Sequence, residues 1–278
     1  MNDISRSMVL EPRNEHFHFK IAERDWHGGD PVKTIIFNAF SIMFPEGEKF
    51  FIESVRNVHN QVDDPVLKKQ IKGFIGQEAV HTREHIEYNK QLDLQGYSAT
   101  KLDAGIKKRM DWVRRNFGEK RQLATTCALE HFTAMMSDLM MTDSTFLEGA
   151  DPNYQKVWLW HALEEAEHKG VAFDTLAAVT KGNGYFLRCR SMLITTVLFN
   201  YFILNHIAVM LKDRGLSRSP KIWWQVAKFL LGKPGLYRRM VLPWLSYFKP
   251  GFHPWDHDNR SKVAKTERYV LSDGQAYV

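Results

Sequence analysis

The chain has 278 residues, 44% of them hydrophobic and 25% charged, with 17 glycines and 10 prolines; disordered, collagen-like and low-complexity classes are excluded. Its two cysteines, Cys127 and Cys189, exclude a disulfide framework and a cysteine-rich zinc site, whereas 12 histidines and 32 acids leave ample material for a His/carboxylate one. The net charge of +6 has a local origin: nine Lys/Arg fall between Lys212 and Lys249 against one acid, Asp213, with no nucleic-acid-binding motif beside them, so nucleic acid is not an expected partner.

Residues 1–31 read as a polar arm ending in Gly28-Gly29-Asp30-Pro31. Met1 to Glu11 carries Asp3, Arg6 and Glu11 and no apolar segment of a secretion signal, so a cytoplasmic location is expected. A first helix is predicted over Val32–Gln61 with a break at Pro45-Glu46-Gly47. Asp64-Pro65, an acid at the N-cap and proline at the first helical position, starts a second helix that reaches Leu92. After a loop over Gly96–Thr100, a shorter basic helix spans Lys101–Phe117 and a third long helix Glu119–Met141. Asp151-Pro152 starts a fourth long helix running to Thr180, stopped by Lys181-Gly182-Asn183-Gly184. Four long helices with apolar stripes predict an all-α, four-helix bundle over residues 32–185.

Residues 186–278 form an apolar helix and a basic, aromatic C-terminal extension packed on the bundle. Between Arg190 and Lys212 lie 21 residues without Asp, Glu, Lys or Arg, long enough to span a bilayer. Thr195, Thr196, Asn200, Asn205 and His206 interrupt it, which favours a bundle helix. In Lys221–Phe248 tryptophans alternate with basic residues, the composition of a helix pair that covers the bundle or lies peripherally on an anionic membrane surface.

The chemistry sits on the core stripes. The second helix places Leu67, Ile71, Phe74, Glu78, His81, His85 and Tyr88 on one face; the fourth places Trp158, His161, Glu165, His168 and Ala172. Glu78 with His81, and Glu165 with His168, are two Glu-x-x-His pairs. Glu130 lies mid-stripe on the third helix and Glu48 on the first; Glu46 is a rival for the position of Glu48, and Glu164 for that of Glu165. Ionised carboxylates on a buried face are costly unless paired or bound to metal. Two Glu-x-x-His helices plus one Glu from each of two others form the donor set of dinuclear carboxylate bundles, with oxygen and nitrogen donors suited to two iron ions, manganese or zinc being the alternatives. His85 is a further ligand candidate that fits an orienting or packing role better, Tyr88 fits a core role better than radical or proton transfer, and His131 points off the stripe. The cluster His253-Pro254-Trp255-Asp256-His257-Asp258 fits a covering loop better than a second metal site.

The segments Phe44-Pro45-Glu46-Gly47-Glu48-Lys49-Phe50-Phe51, Gly76-Gln77-Glu78-Ala79-Val80-His81, Ala128-Leu129-Glu130-His131-Phe132-Thr133, Trp160 to Lys169 and Lys249 to His257 resemble a bacterial family of predicted metal-dependent hydrolases over about residues 30–260. The metal pattern resembles ferritin-like di-iron proteins. In their p-aminobenzoate N-oxygenase branch an extra histidine ligand lies one turn before the last Glu-x-x-His, and His161-x-x-x-Glu165-x-x-His168 is similar. That resemblance implies a seven-residue metal set of Glu48, Glu78, His81, Glu130, His161, Glu165 and His168. The expected function is a non-haem di-iron oxidoreductase using O2 and an external electron donor to hydroxylate, desaturate or N-oxygenate a small or lipid-like substrate, as a monomer or homodimer. The alternative is a dinuclear metal-dependent hydrolase of an ester or phosphoester; a third class, metal storage or a purely structural bundle, fits the long C-terminal extension poorly.

Overall fold

The computed structural model describes residues 1–19, 24–181 and 184–272. It is all-α: among these residues the only extended pairing is an isolated bridge between His27 and Ala150. A short α1 (Asp3–Ser7) is followed by α2 (Pro31–Val58), α3 (Pro65–Leu94), α4 (Ala99–Asn116), α5 (Glu119–Thr142), α6 (Pro152–His168) and α7 (Val171–Thr180). The C-terminal part adds α8 (Tyr185–Asp213), α9 (Pro220–Leu231), α10 (Leu236–Ser246) and α11 (Arg260–Leu271). Three of the helices start by the same chemistry. The side chains of Asp30, Asp64 and Asp151 accept hydrogen bonds from the first free backbone N–H groups of α2, α3 and α6, and proline follows each where no N–H is needed.

Helices α2, α3, α6 and α5 close a ring in which each packs against the next, and α8 lies across α5 and α2. Helix α8 is long and apolar enough to cross a membrane by length and composition, with a third (33%) of its apolar window buried in the protein. Phe199, Ile203, Ile207 and Met210 face the core, while Phe186, Leu193, Val197 and Tyr201 face outward.

Three local expectations are corrected. Helix α2 runs unbroken through Pro45. Proline at 45 removes the hydrogen bond to the carbonyl of Ser41, and the Asn89 side-chain amide from α3 donates to that carbonyl instead, at 3.0 Å. The fourth long helix is two, α6 and α7, divided at Lys169-Gly170 directly after His168. The Lys169 ammonium sits 4.0 Å above the Trp255 ring and donates to the His257 carbonyl (2.7 Å) and to Asn259 (2.9 Å), so the covering loop holds the chain where the helix axis changes. Finally, the N-terminal arm contains α1 and packs tightly on α3: a Cβ at Gly73 would lie 2.5 Å from the Leu10 carbonyl, and one at Gly76 2.5 Å from Pro12, so only glycine admits the arm. Of the expected stop after α7, Lys181 is the left-handed cap (φ 50°), while Gly182 and Asn183 lie outside the described residues.

Candidate metal centre

Glu48 comes from α2, Glu78 and His81 from α3, Glu130 from α5, and His161, Glu165 and His168 from α6; all seven are buried. Their donor atoms fall into overlapping groups whose members lie within 4.8 Å of one another: Glu48, Glu78, His81; His81, His161, Glu165; and Glu78, Glu130, Glu165, His168. Glu78 and Glu165 belong to both halves. Glu165 Oε1 lies 3.1 Å from His161 Nε2 and 3.6 Å from His81 Nδ1, while its Oε2 lies 3.5 Å from His168 Nε2. Glu78 likewise puts Oε2 4.0 Å from His81 and Oε1 3.2 Å from His168. Glu130 completes the second half, 3.5 Å from His168. Of the rivals, Glu46 turns away to pair with Lys49 at 2.7 Å. Glu164 is buried behind His81, 3.1 Å from its Nε2.

Electrostatically the cluster is incomplete by itself. Burial, then repulsion from neighbouring carboxylates, pushes Glu48, Glu78 and Glu130 up out of the usual carboxylate range. Burial also acts against the charged forms of Glu165, His81 and His168, but carboxylate–imidazole attraction wins: Glu165 is held well below the usual range, His168 well above its own, and His81, beside Glu164 and then Glu165, rises to about 10. Both carboxylate oxygens of Glu48, Glu78 and Glu130 are buried without a hydrogen-bond partner. Orphaned buried carboxylates are expensive, and divalent cations bound by these oxygens would remove that cost. The residues fit a metal centre.

A surrounding layer fixes each imidazole. The Asn89 amide donates through Nδ2 to the Ser41 carbonyl, so its Oδ1 accepts the Ser41 hydroxyl at 2.8 Å. With that hydroxyl proton committed, His85 Nδ1–H donates to Ser41 Oγ (2.9 Å), and His85 Nε2 accepts from His161 Nδ1–H (2.7 Å). Burial first, then neighbouring imidazoles, keeps both rings neutral, with His161 lowered to about 4 and His85 well below its ordinary value. One proton arrangement satisfies the whole chain, and it leaves His161 Nε2 as a bare lone pair facing the centre. His168 is set similarly: its Nδ1–H donates to Gln77 Oε1 (3.1 Å), whose amide nitrogen donates to Glu167 (3.0 Å).

Arg13, from the arm, closes this layer. Its guanidinium pairs with both oxygens of Glu167 (2.8 and 2.7 Å) and reaches Glu267 of α11 at 2.8 Å, while its backbone N–H donates to Glu164 at 2.9 Å. A polar arm carries no periodic signal, so sequence reasoning had no means to find Arg13. A signal did exist for the rest: Glu164 and Glu167 repeat the three-residue spacing of Glu165 and His168, and Asn89 extends the His81, His85 stripe by one further turn.

His131 donates to or accepts from nothing in the centre; its Nε2 lies 3.1 Å from the Pro243 carbonyl. The Tyr88 hydroxyl donates to Asn38. In the covering loop, His253 pairs with Asp174 (3.0 Å) and His257 with Ser246 (3.0 Å), which ties the loop down.

Residues 11–258 match the model of a family described as predicted metal-dependent hydrolase. The chain belongs to that family. The match spans Arg13 as well as all seven clustered residues. The family's description speaks for a metal-dependent enzyme and lies closer to hydrolysis than to oxygen chemistry. Searches of curated proteins and of solved structures find no match.

Proposed function

We propose that this family member is a dinuclear carboxylate enzyme that activates O2, with Glu48, Glu78, His81, Glu130, His161, Glu165 and His168 holding two iron ions. The observation that carries this reading is the third histidine. The Asn89–Ser41–His85 chain presents His161 Nε2 to the same half of the cluster as His81, alongside Glu165. Bound iron would supply the electrons that reduce O2, to be replenished by an external donor.

The residues' own part is separable from the metal. Glu78 and Glu165 offer donor atoms to both halves of the cluster and would help hold both ions; Glu48 and Glu130 each serve one half. Four carboxylates concentrate negative charge that favours the oxidised metal. Neutral His161, unlike His81 and His168, adds a donor without claiming a carboxylate as counter-ion. The walls beside Glu48 are formed by Phe44, Phe51 and Phe199, which keep bulk water away from the oxidising centre.

The second reading, supported by the family description, is hydrolysis of an ester or phosphoester by the same two-metal set. One experiment separates them. Protein purified without chelator is analysed for metal, then reduced anaerobically and mixed with O2 in an oxygen electrode. The oxygenase reading expects about two irons per chain and stoichiometric O2 uptake. Zinc-loaded protein that takes up no O2 but cleaves a nitrophenyl ester or phosphoester would establish the hydrolase instead.

A further inference from the structure

The centre is bordered by a cavity between α2, α4, α5 and α8, about 1120 Å³ of space that includes open solvent at its mouth. Its inner end is Glu48, and its walls are apolar, with Phe44, Phe51, Met110, Leu129, Phe199 and Phe202 among them. Apart from Glu48 no acid lines it. Three arginines do: Arg109 from α4, Arg121 from α5 and Arg190 from α8. Arg121 and Arg190 are exposed, which places them at the mouth, and Arg109 is half-buried with its ring-like guanidinium 4.4 Å over Trp112. Among the described residues none of the three has a carboxylate within ion-pair distance, and Arg109 Nε is buried with no hydrogen-bond partner. Other arginines, Arg13, Arg114, Arg214 and Arg239 among them, hold carboxylates.

An apolar cavity with two exposed guanidiniums at its mouth, a half-buried third on its wall and a buried carboxylate within has a polarity that selects its occupant. A cation is disfavoured at the mouth and an anion at the inner end, so a negative group stays among the arginines and an apolar chain points inward. A smaller apolar cavity on the far side, lined by His161 and Glu165, shares Phe40, Phe44 and Thr133 with the first. A chain entering past the arginines therefore has apolar space beyond Glu48 as well as before it. Gly47, beside Glu48 on the helix, also borders the cavity, and a Cβ there would meet only the Phe51 ring at 4.0 Å.

We propose that this cavity binds a single-chain amphiphile, its anionic head group held by Arg109, Arg121 and Arg190 and its alkyl chain lying past Glu48. As the substrate site of the proposed enzyme, this inference rests on that reading; as a binding site it does not, and the test keeps the two apart. Protein dialysed against a chelator is titrated calorimetrically, below their micelle-forming concentrations, with dodecanoate, dodecyl phosphate and dodecanol. We expect one site per chain, with the better anion bound roughly tenfold or more tighter than dodecanol, the ratio that about one charge-assisted contact provides. Whether dodecanoate or dodecyl phosphate binds tighter identifies the head group. Arg190→Ala and Arg121→Ala, both at exposed positions, should each weaken the anion several-fold and leave dodecanol unchanged, and Gly47→Leu should abolish the site for all three. Dodecanol binding as tightly as both anions, arginine variants without effect, or uptake of many molecules per chain that Gly47→Leu leaves intact would overturn the proposal. Because no metal is present, failure of O2 uptake or of hydrolysis leaves this result standing, and the reverse.

Discussion

At the scale of single residues, the centre depends on where protons sit. His161 offers a lone pair because His85 accepts its other ring proton, and His85 can accept because Ser41 and Asn89 occupy its far side. Replacing His85 with phenylalanine keeps the ring shape but leaves the His161 Nδ1–H unpaired in a buried site. Loss of such an outer partner costs roughly 10–100-fold in metal affinity, so competition titration of His85→Phe should show one of the two metals weakened by about that factor. His161→Ala tests the donor itself. One metal lost, or an altered rate of O2 uptake by the reduced protein, is the expected outcome; two metals retained with unchanged oxygen reactivity would reduce His161 to packing.

At the scale of helices, α2 combines a proline and a glycine that each oppose helix formation, two positions apart on either side of Glu46. Pro45 is tolerated because Asn89 serves the Ser41 carbonyl. Asn89→Ala should therefore cost about 1–3 kcal/mol, the penalty of an orphaned buried polar group, seen as a lower midpoint in denaturant unfolding. Gly47 has space for a Cβ, so Gly47→Ala should raise stability by about 0.5–1 kcal/mol; the same melts would show it. A glycine kept at this cost beside Glu48 is consistent with space needed in the cavity. The contrast between these two residues explains what was legible in advance. The four stripes, the capping aspartates Asp64 and Asp151, and the seven clustered acids and histidines could be read because helical spacing is a local property. The continuity of α2 could not, because the group that rescues Pro45 is 48 residues away from Ser41. The division of α6 from α7 was hidden for the same reason: Lys169 is drawn out by residues 88 and 90 positions downstream.

At the scale of the whole molecule, two surfaces and one titration stand out. Leu193, Val197 and Tyr201 on α8 and Val241, Leu242 and Leu245 on α10 are all exposed, and the two helices are joined by the Trp244 indole donating to Thr196 at 2.9 Å. Exposed Trp224, Lys221 and Lys228 on α9 add aromatic and basic character. Vesicles containing anionic lipid should bind the protein more tightly than neutral ones, and less so as salt rises; co-sedimentation would show it, and Leu242→Ser should weaken both. The titration concerns buried histidines that make no hydrogen bond to the centre. Burial holds His131 and His206 down to about 4, the carbonyls of Pro243 and Ala39 opposing it only in part. The unfolded chain, with ordinary values near 6.5, binds more protons between about pH 4 and 6.5, so stability rises with pH across that window. Each histidine contributes at most on the order of 3 kcal/mol. The thermal midpoint should fall as pH drops below about 6.5, and His206→Leu should flatten part of that slope.

The grip of Arg13 on Glu167 and Glu267 joins residues 154 and 254 positions apart. During synthesis the arginine leaves the ribosome long before its last partner. The layer behind His81 and His168 is therefore completed only once α11 has emerged, so the four helices that carry the seven clustered residues are made before the shell that orients them closes.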